Sequence, residues 1–215
     1  MRDLDIARWR LRSQHLVAPY AVSAREAVGS LLAVQAENLG QAAWAVASRT
    51  PDPDQDELAS VLDEGTVVRT HVLRPTWHFV RAEDVGWLLE LTGSRVRRVT
   101  GQQLRNAHGL DERSIDHAVA AVMEALASRG QLTRAQLAGE LRERGVLGSG
   151  QMLMILLAHA ELGGLICSGT IAGGEHTYAL MSERVPAPRR LGRAEALAEL
   201  AVRYFTGHEI GRAHV

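Results

Sequence analysis

Residues 163–180 read GGLICSGTIAGGEHTYAL, two short strand-like runs separated by a glycine-rich turn. The runs Leu165–Ser168 and His176–Leu180 predict strands, and the Ile171-Ala172-Gly173-Gly174 segment predicts the reversal of the chain between them. The stretch therefore predicts a β-hairpin in the C-terminal half of the protein.

Three helices are predicted before this hairpin. They cover about Ser114 to Arg129, Thr133 to Arg144 and Ser149 to Leu162, and Gly130, Gly145 and Gly163 fall where they should end. Three helices followed by a hairpin are the order of a winged helix-turn-helix, which binds DNA or serves as a dimerisation or scaffold module. The third helix is apolar on most sides at 152–157, so we expect much of it to be core.

The N-terminal half predicts a similar order of elements. Predicted helices cover Leu4 to Leu16, with an apolar face of Ile6, Trp9 and Leu16, Ser23 to about Gln35, Gln41 to Arg49 and Asp54 to Leu62. Predicted strands Thr66–Val72 and Thr76–Val80 follow, and then a helix over 81–106. We expect a mainly α fold with small β-hairpins, built as tandem winged helix-turn-helix modules.

The domain boundaries follow from these elements. We expect a first winged-helix module at 1–81, a connecting helix at 82–110, a second module at 111–185, and a linker with the start of a third module at 186–208. The last residues, EIGRAHV, show no capping or packing pattern and match the translation of a common sequencing adapter. We therefore expect 209–215 to be an artefact and the natural protein to continue.

Composition narrows the class of protein. The net charge is −1 over 215 residues, so the charge of the whole chain does not indicate nucleic-acid binding. All 24 basic side chains are arginine. Arg95, Arg97 and Arg98 nevertheless lie in an acid-free stretch, which suits a face toward a polyanion, although solvated helix surfaces often show such runs. A secretory signal and a membrane-spanning run are both lacking, so we expect a cytoplasmic protein.

Metal and cofactor motifs are lacking as well. The single cysteine, Cys167, cannot form an internal disulfide and lies in an apolar run, which indicates a core residue. The sequence has no HExxH motif, no cysteine pair and no phosphate-binding glycine loop. We expect no metal and no cofactor.

The segment LLAVQAE at 31–37 places two polar side chains around one apolar residue where a helix is predicted to end. Residues two apart share a face once the backbone is extended, so Gln35 and Glu37 could converge on one ligand. Taken alone, the segment is more often a solvated helix end.

Five motifs together resemble the winged-helix DNA glycosylase family that includes the bacterial alkylpurine glycosylases AlkZ and YcaQ, also called AlkX. They are LVAP at 16–19, LLAVQAE at 31–37, TVVRTHVLRPTWHFV at 66–80, LTRAQLAGEL at 132–141 and GGLICSG at 163–169. The resemblance implies an enzyme that excises alkylated purines, including bulky adducts and interstrand crosslinks, from double-stranded DNA.

The family's catalytic motif is Gln, an apolar residue, then Gln or Asp. This chain has Gln35, Ala36 and Glu37, and the glutamate keeps the carboxylate but adds a methylene. The resemblance implies Glu37 as general base and electrostatic stabiliser, and Gln35 as the residue that holds the water or the deoxyribose. The chain contains no lysine to form a Schiff base, so we expect a monofunctional enzyme. We also expect the protein to be a monomer and to lie near the nucleoid.

A second group of polar residues lies on the predicted hairpin at 66–80. His71, Arg74, Thr76 and His78 are candidates to line the site or contact DNA, together with the Arg95, Arg97 and Arg98 group. Each strand residue could equally be buried in the hydrophobic core, and each histidine could equally have a structural role through its hydrogen bonds. Two other functions compete with repair: a DNA-binding regulator that lacks catalysis, and a protein-interaction scaffold.

Overall fold

The computed structural model describes residues 3–146 and 148–208. In its N-terminal half the helices are α1 (Asp3–Ser13), α2 (Ala24–Ser30), α3 (Leu39–Ala47) and α4 (Gln55–Asp63). The strands of that half are β1 (Val34–Gln35), β2 (Val67–His71) and β3 (Trp77–Arg81).

A long helix, α5 (Ala82–His108), leads into the second half. There the helices are α6 (Glu112–Arg129), α7 (Arg134–Glu143), α8 (Gly150–Leu162), α9 (Met181–Arg184) and α10 (Arg193–His208). The strands are β4 (Gln131–Thr133), β5 (Ile166–Ser168) and β6 (Thr177–Leu180).

The two halves repeat one architecture. Each runs helix, short strand, two helices and two strands, and each forms an antiparallel three-stranded sheet with its last strand in the centre, in the orders β1-β3-β2 and β4-β6-β5. The predicted winged-helix fold is thereby confirmed. Gly130 and Gly163 occupy helix C-caps as predicted, and Thr133 forms a capping box with Gln136 at the start of α7.

Two features of the N-terminal half differ from the prediction. The helix that begins after Ser23 ends at Ser30 rather than near Gln35, because Leu32 adopts a left-handed backbone (φ 67°) and the chain then pairs with β3 as strand β1. The first helix ends at Ser13 rather than at Leu16, and its predicted apolar face is not buried: Trp9 is 56% exposed, and Leu16, beyond the helix, is 37% exposed.

The hydrophobic core has three parts. One lies within each half, and the third joins them, since Val68 and Val80 of the first sheet pack with Cys167 and Met181 of the second half. The backbone N–H of Arg69 donates to Ser168 Oγ across this junction (2.9 Å). The two sheets are therefore held side by side.

The division into modules remains an interpretation of the repeated order of elements. The proposed artefact at 209–215 lies outside the described residues. Within the described part of the chain, no helix has the length and apolar character needed to cross a bilayer.

Candidate active site

Strand β1 places Gln35 at the solvent edge of the first sheet. Gln35 is paired with His78 of β3, and Val34 is paired with Phe79 in the core. Because side chains alternate along a strand, the amide of Gln35 points away from that core. Its Oε1 accepts a hydrogen bond from Arg74 Nη2 (3.3 Å), and an arginine nitrogen can only donate, so the amide NH2 remains as a donor.

Glu37 lies just beyond β1, where the chain is still tied to β3. The backbone N–H of Ala36 donates to the Trp77 carbonyl (2.7 Å), and the Trp77 N–H donates to Glu37 Oε1 (2.8 Å). Ala36 is fully buried, whereas Gln35 and Glu37 are exposed. Glu37 Oε2 makes no hydrogen bond with any described residue, which leaves one carboxylate oxygen facing solvent.

Arg69 supports this segment from beneath. Its side chain is buried, and it donates from Nε to the Ala36 carbonyl (2.9 Å) and from Nη2 to the Glu37 carbonyl (3.2 Å). Its guanidinium lies 4.2 Å from the centre of the Trp77 ring. Burial lowers the pKa of Arg69, and the Glu161 carboxylate opposes that effect most strongly. The backbone of the motif is thus fixed by a buried cation.

His78 lies between the two candidate residues and is neutral. Burial lowers the pKa of His78 to about 4, and the charge of Arg74 acts in the same direction. Its Nδ1 lies 2.9 Å from the Thr76 carbonyl, which can only accept, so Nδ1 carries the proton and Nε2 is an acceptor. Glu37 also acts electrostatically on His78, which places both around the same turn.

The structure therefore brings together four of the candidates. Gln35, Glu37, Arg74 and His78 meet at the connection between β2 and β3. Thr76 contributes its carbonyl to His78, while its own Oγ1 is buried and has no hydrogen-bond partner among the described residues.

His71 is a correction to the predicted site. It is paired with Trp77 on the opposite face of the sheet from Gln35, it is only 6% exposed, and its Nδ1 is hydrogen-bonded to Glu161. A buried imidazole that is hydrogen-bonded to a buried carboxylate cannot contact DNA in this arrangement.

The arginines of α5 also lie away from the pair. Arg97 donates to His159 Nε2 (3.1 Å) and, with Arg98, lines a separate depression of about 390 Å³. Neither Gln35 nor Glu37 lines that depression. Arg95 is exposed on the same helix, so these side chains form a second basic surface and not part of the site around Glu37.

A cavity of about 620 Å³ lies between the two halves, on the face of the first sheet that carries Trp77, and neither Gln35 nor Glu37 lines it. Arg69 and Trp77 form one wall, and Arg134 and Arg142 of α7 lie across from them. The remaining wall includes the acid Glu175 and the rings of His176 and Tyr178. Its apolar side chains include Ala135, Ala138, Leu153 and Met154. Three arginines against one glutamate make this cavity favourable for an anion.

The sequence analysis did not identify Arg69 or Glu161 as parts of the site. The signal that could have identified them is a charged residue within an apolar segment: Arg69 lies in VVRTH, and Glu161 lies in MLMILLAHAEL. Among the residues that the structure describes, no group of three or more His, Cys, Asp or Glu side chains could hold a metal ion.

Known proteins resemble this chain over most of its length. A family model described as DNA glycosylase AlkZ-like matches residues 28–214, which include the motif at 35–37. A curated protein of Streptomyces sahachiroi, named as an interstrand DNA cross-link repair glycosylase, is 27% identical over 188 residues, which are 82% of this chain and 48% of that protein.

The fold comparison agrees with the sequence comparison. The solved structure of the Streptomyces sahachiroi DNA glycosylase AlkZ matches with a TM-score of 0.75 and 25% identity, over 93% of this chain and 55% of that one. The chain thus spans about half the length of the relatives it matches.

Proposed function

Since the chain belongs to the AlkZ-like family of DNA glycosylases, we propose that it acts in DNA repair by hydrolysing the N-glycosidic bond of alkylated purines, with interstrand crosslinks among its substrates. The observation that carries this proposal is the exposed pair Gln35 and Glu37, held by two backbone hydrogen bonds to β3 around a buried Ala36.

The chemistry requires little acid catalysis. An N3- or N7-alkylated purine already carries positive charge, so it leaves readily, and the enzyme must stabilise the cationic sugar and position water. Glu37 has one oxygen fixed by the Trp77 N–H and one facing solvent. The free oxygen can accept a proton from the attacking water while the negative charge stabilises the oxocarbenium-like sugar.

Gln35 acts beside it as the orienting residue. Arg74 holds Oε1 of Gln35, so its NH2 group is directed by that contact and donates to the water or the deoxyribose. Neutral His78 offers Nε2 as an acceptor in the same turn without adding a positive charge next to a cationic base. Arg74 is exposed and can also contact a flanking phosphate.

Double-stranded DNA is the proposed partner. Arg134 and Arg142 line the cavity next to Arg69 and Trp77, and Arg95 and Arg98 are exposed on the long helix. These arginines supply phosphate contacts without base specificity. We propose that the protein binds duplex DNA as a monomer at the nucleoid and leaves an abasic site without cutting the strand.

The test is base release from duplex DNA that contains N7-methylguanine, and from a crosslinked duplex, by the full-length product of the encoding locus. Free base and an alkali-labile abasic site are expected, with no borohydride-trapped adduct. DNA binding without base release would favour the regulator instead. A protein that showed no DNA binding and no base release would favour the scaffold. A trapped adduct would contradict the monofunctional mechanism.

A further inference from the structure

The second half of the chain contributes one acid to the wall behind the motif. Glu161 lies near the end of α8, in a helix that is otherwise almost wholly apolar, and its side chain is completely buried. Its Oε2 accepts from His71 Nδ1 and from Trp77 Nε1 (3.2 Å). Both donors belong to the first sheet, so this carboxylate bridges the two halves.

Trp77 is the residue that connects Glu161 to the motif. Its indole N–H donates to Glu161, while its backbone N–H donates to Glu37 Oε1 and its carbonyl accepts from Ala36. The ring is also packed against Arg69 at 4.2 Å and against His71 at 4.9 Å between ring centres. The indole and the backbone groups belong to one residue, so the contact of the indole with Glu161 restrains the residue that makes both hydrogen bonds to the motif.

Glu161 also balances the buried cation. Its carboxylate is the largest of the effects that oppose the burial-induced lowering of the pKa of Arg69. Arg69 in turn donates to the carbonyls of Ala36 and Glu37. The charge of Glu161 thus favours the charged form of Arg69, while its contact with the motif runs through the indole ring of Trp77.

Stability alone is a weak reason to bury such an acid. A buried ion pair is often no more stable than apolar side chains of similar volume, because desolvation offsets the attraction between the charges. A defined orientation of Trp77 and Arg69 is what the charge adds and what an apolar residue would not provide.

We propose that Glu161 is a positioning residue for the glycosylase reaction: from the second half of the chain it fixes Trp77, whose ring packs against Arg69, and through Trp77 it orients the Glu37 carboxylate. This inference rests on the proposed function of Glu37. It makes the reactive segment of the first half dependent on α8 of the second.

The test compares Glu161→Gln and Trp77→Phe with the wild type in the full-length product of the locus. A misplaced catalytic group typically costs about 10- to 100-fold in rate. We expect single-turnover release of N7-methylguanine to fall by about that factor in each variant, while the Kd for the same DNA changes less than about twofold. Glu124→Gln is the matched control, since Glu124 is 71% exposed in the second half, and it should keep the wild-type rate.

A double variant separates positioning from a general loss of structure. If Glu161 acts chiefly through Trp77, adding Glu161→Gln to Trp77→Phe should lower the rate far less than the product of the two single effects. Wild-type release by both single variants, or strictly multiplicative effects, would overturn the proposal. If Glu161→Gln does not fold, Trp77→Phe decides alone: a slow rate with intact binding supports it, and an unchanged rate overturns it.

A spectroscopic measurement distinguishes failure of this inference from failure of the proposed function. The backbone amide of Trp77 donates to Glu37, so its NMR resonance should move in Glu37→Gln and also in Glu161→Gln, whether or not any base is released. A resonance that moves only in Glu37→Gln would show that Glu161 does not reach the motif, and so would overturn the inference.

Discussion

The backbone N–H of Trp77 donates a hydrogen bond to Glu37 Oε1 at 2.8 Å, from the first residue of β3 to a side chain just beyond β1. A backbone donor has a fixed direction, because it is part of a paired strand. The contact therefore sets the direction of the carboxylate and leaves its other oxygen for a water or a sugar.

Replacing Arg69 should destabilise the fold. Arg69→Met removes a buried cation and leaves the carbonyls of Ala36 and Glu37 without their donor. Breaking such an arrangement typically costs about 3 kcal/mol in the free energy of unfolding. Urea denaturation measures this loss in the free energy of unfolding. The control, Arg98→Met on the exposed side of α5, should change stability by less than about 0.5 kcal/mol, and equal effects of both would contradict the role of Arg69.

Helix α5 should tolerate no side chain at Gly93. A Cβ at this position would lie 2.7 Å from the backbone carbonyl of Leu162, so Gly93→Ala must separate α5 from α8. Thermal unfolding should show a loss of about 1–3 kcal/mol. Gly139→Ala in α7 meets no atom within 4 Å and should be neutral or stabilising by up to about 1 kcal/mol. A stabilised Gly93→Ala would contradict the close packing.

Stability should depend on pH through His159. Burial lowers the pKa of His159 from 6.5 to about 4, with the Arg97 charge acting in the same direction. Between these values the unfolded chain binds a proton that the folded protein does not, so stability falls as pH is lowered. His159→Gln should reduce the loss between pH 7 and pH 5 by roughly 1–2 kcal/mol, measured by urea denaturation at each pH.

The control for this pH effect is His117→Gln. His117 is exposed on α6, so its ring stays in water in both states and the variant should keep the wild-type slope. A pH slope in His159→Gln equal to that of the wild type would show that His159 is protonated equally in the two states.

Cys167 should react with thiol reagents only when the protein unfolds. It is fully buried between the two halves, and burial raises the pKa of its thiol to about 12. Maleimide labelling of the native protein should therefore follow the opening of the junction and accelerate with urea. Rapid labelling in native buffer, at the rate found in denaturant, would contradict the packing of the two sheets.

The elements with strong local signals could be predicted from the sequence. Glycine stops such as Gly130 and Gly163, and the strands within 66–80 with their valines and threonines, follow from short-range conformational preferences. The exposure of Gln35 and Glu37 around a buried Ala36 follows from the alternation of side chains along an extended segment.

The structural features that could not be predicted from the sequence depend on contacts between distant parts of the chain. Strands β1 and β4 have only two and three residues, too few for a pattern, and each exists because it pairs with the central strand of its sheet. The contact of Glu161 with His71 and Trp77 depends on how the two halves dock. No local signal fixes that docking, so the sequence could not predict that His71 is buried against Glu161.

The most direct measurement of the central claim is single-turnover release of N7-methylguanine by the Glu37→Gln variant, with the Kd for the same duplex measured in parallel. Loss of a general base and electrostatic stabiliser predicts a fall in rate of about 100-fold or more, with binding unchanged within about twofold. Glu124→Gln should match the wild type. Equal release by Glu37→Gln and the wild type would remove Glu37 from the mechanism and contradict the assignment of this site.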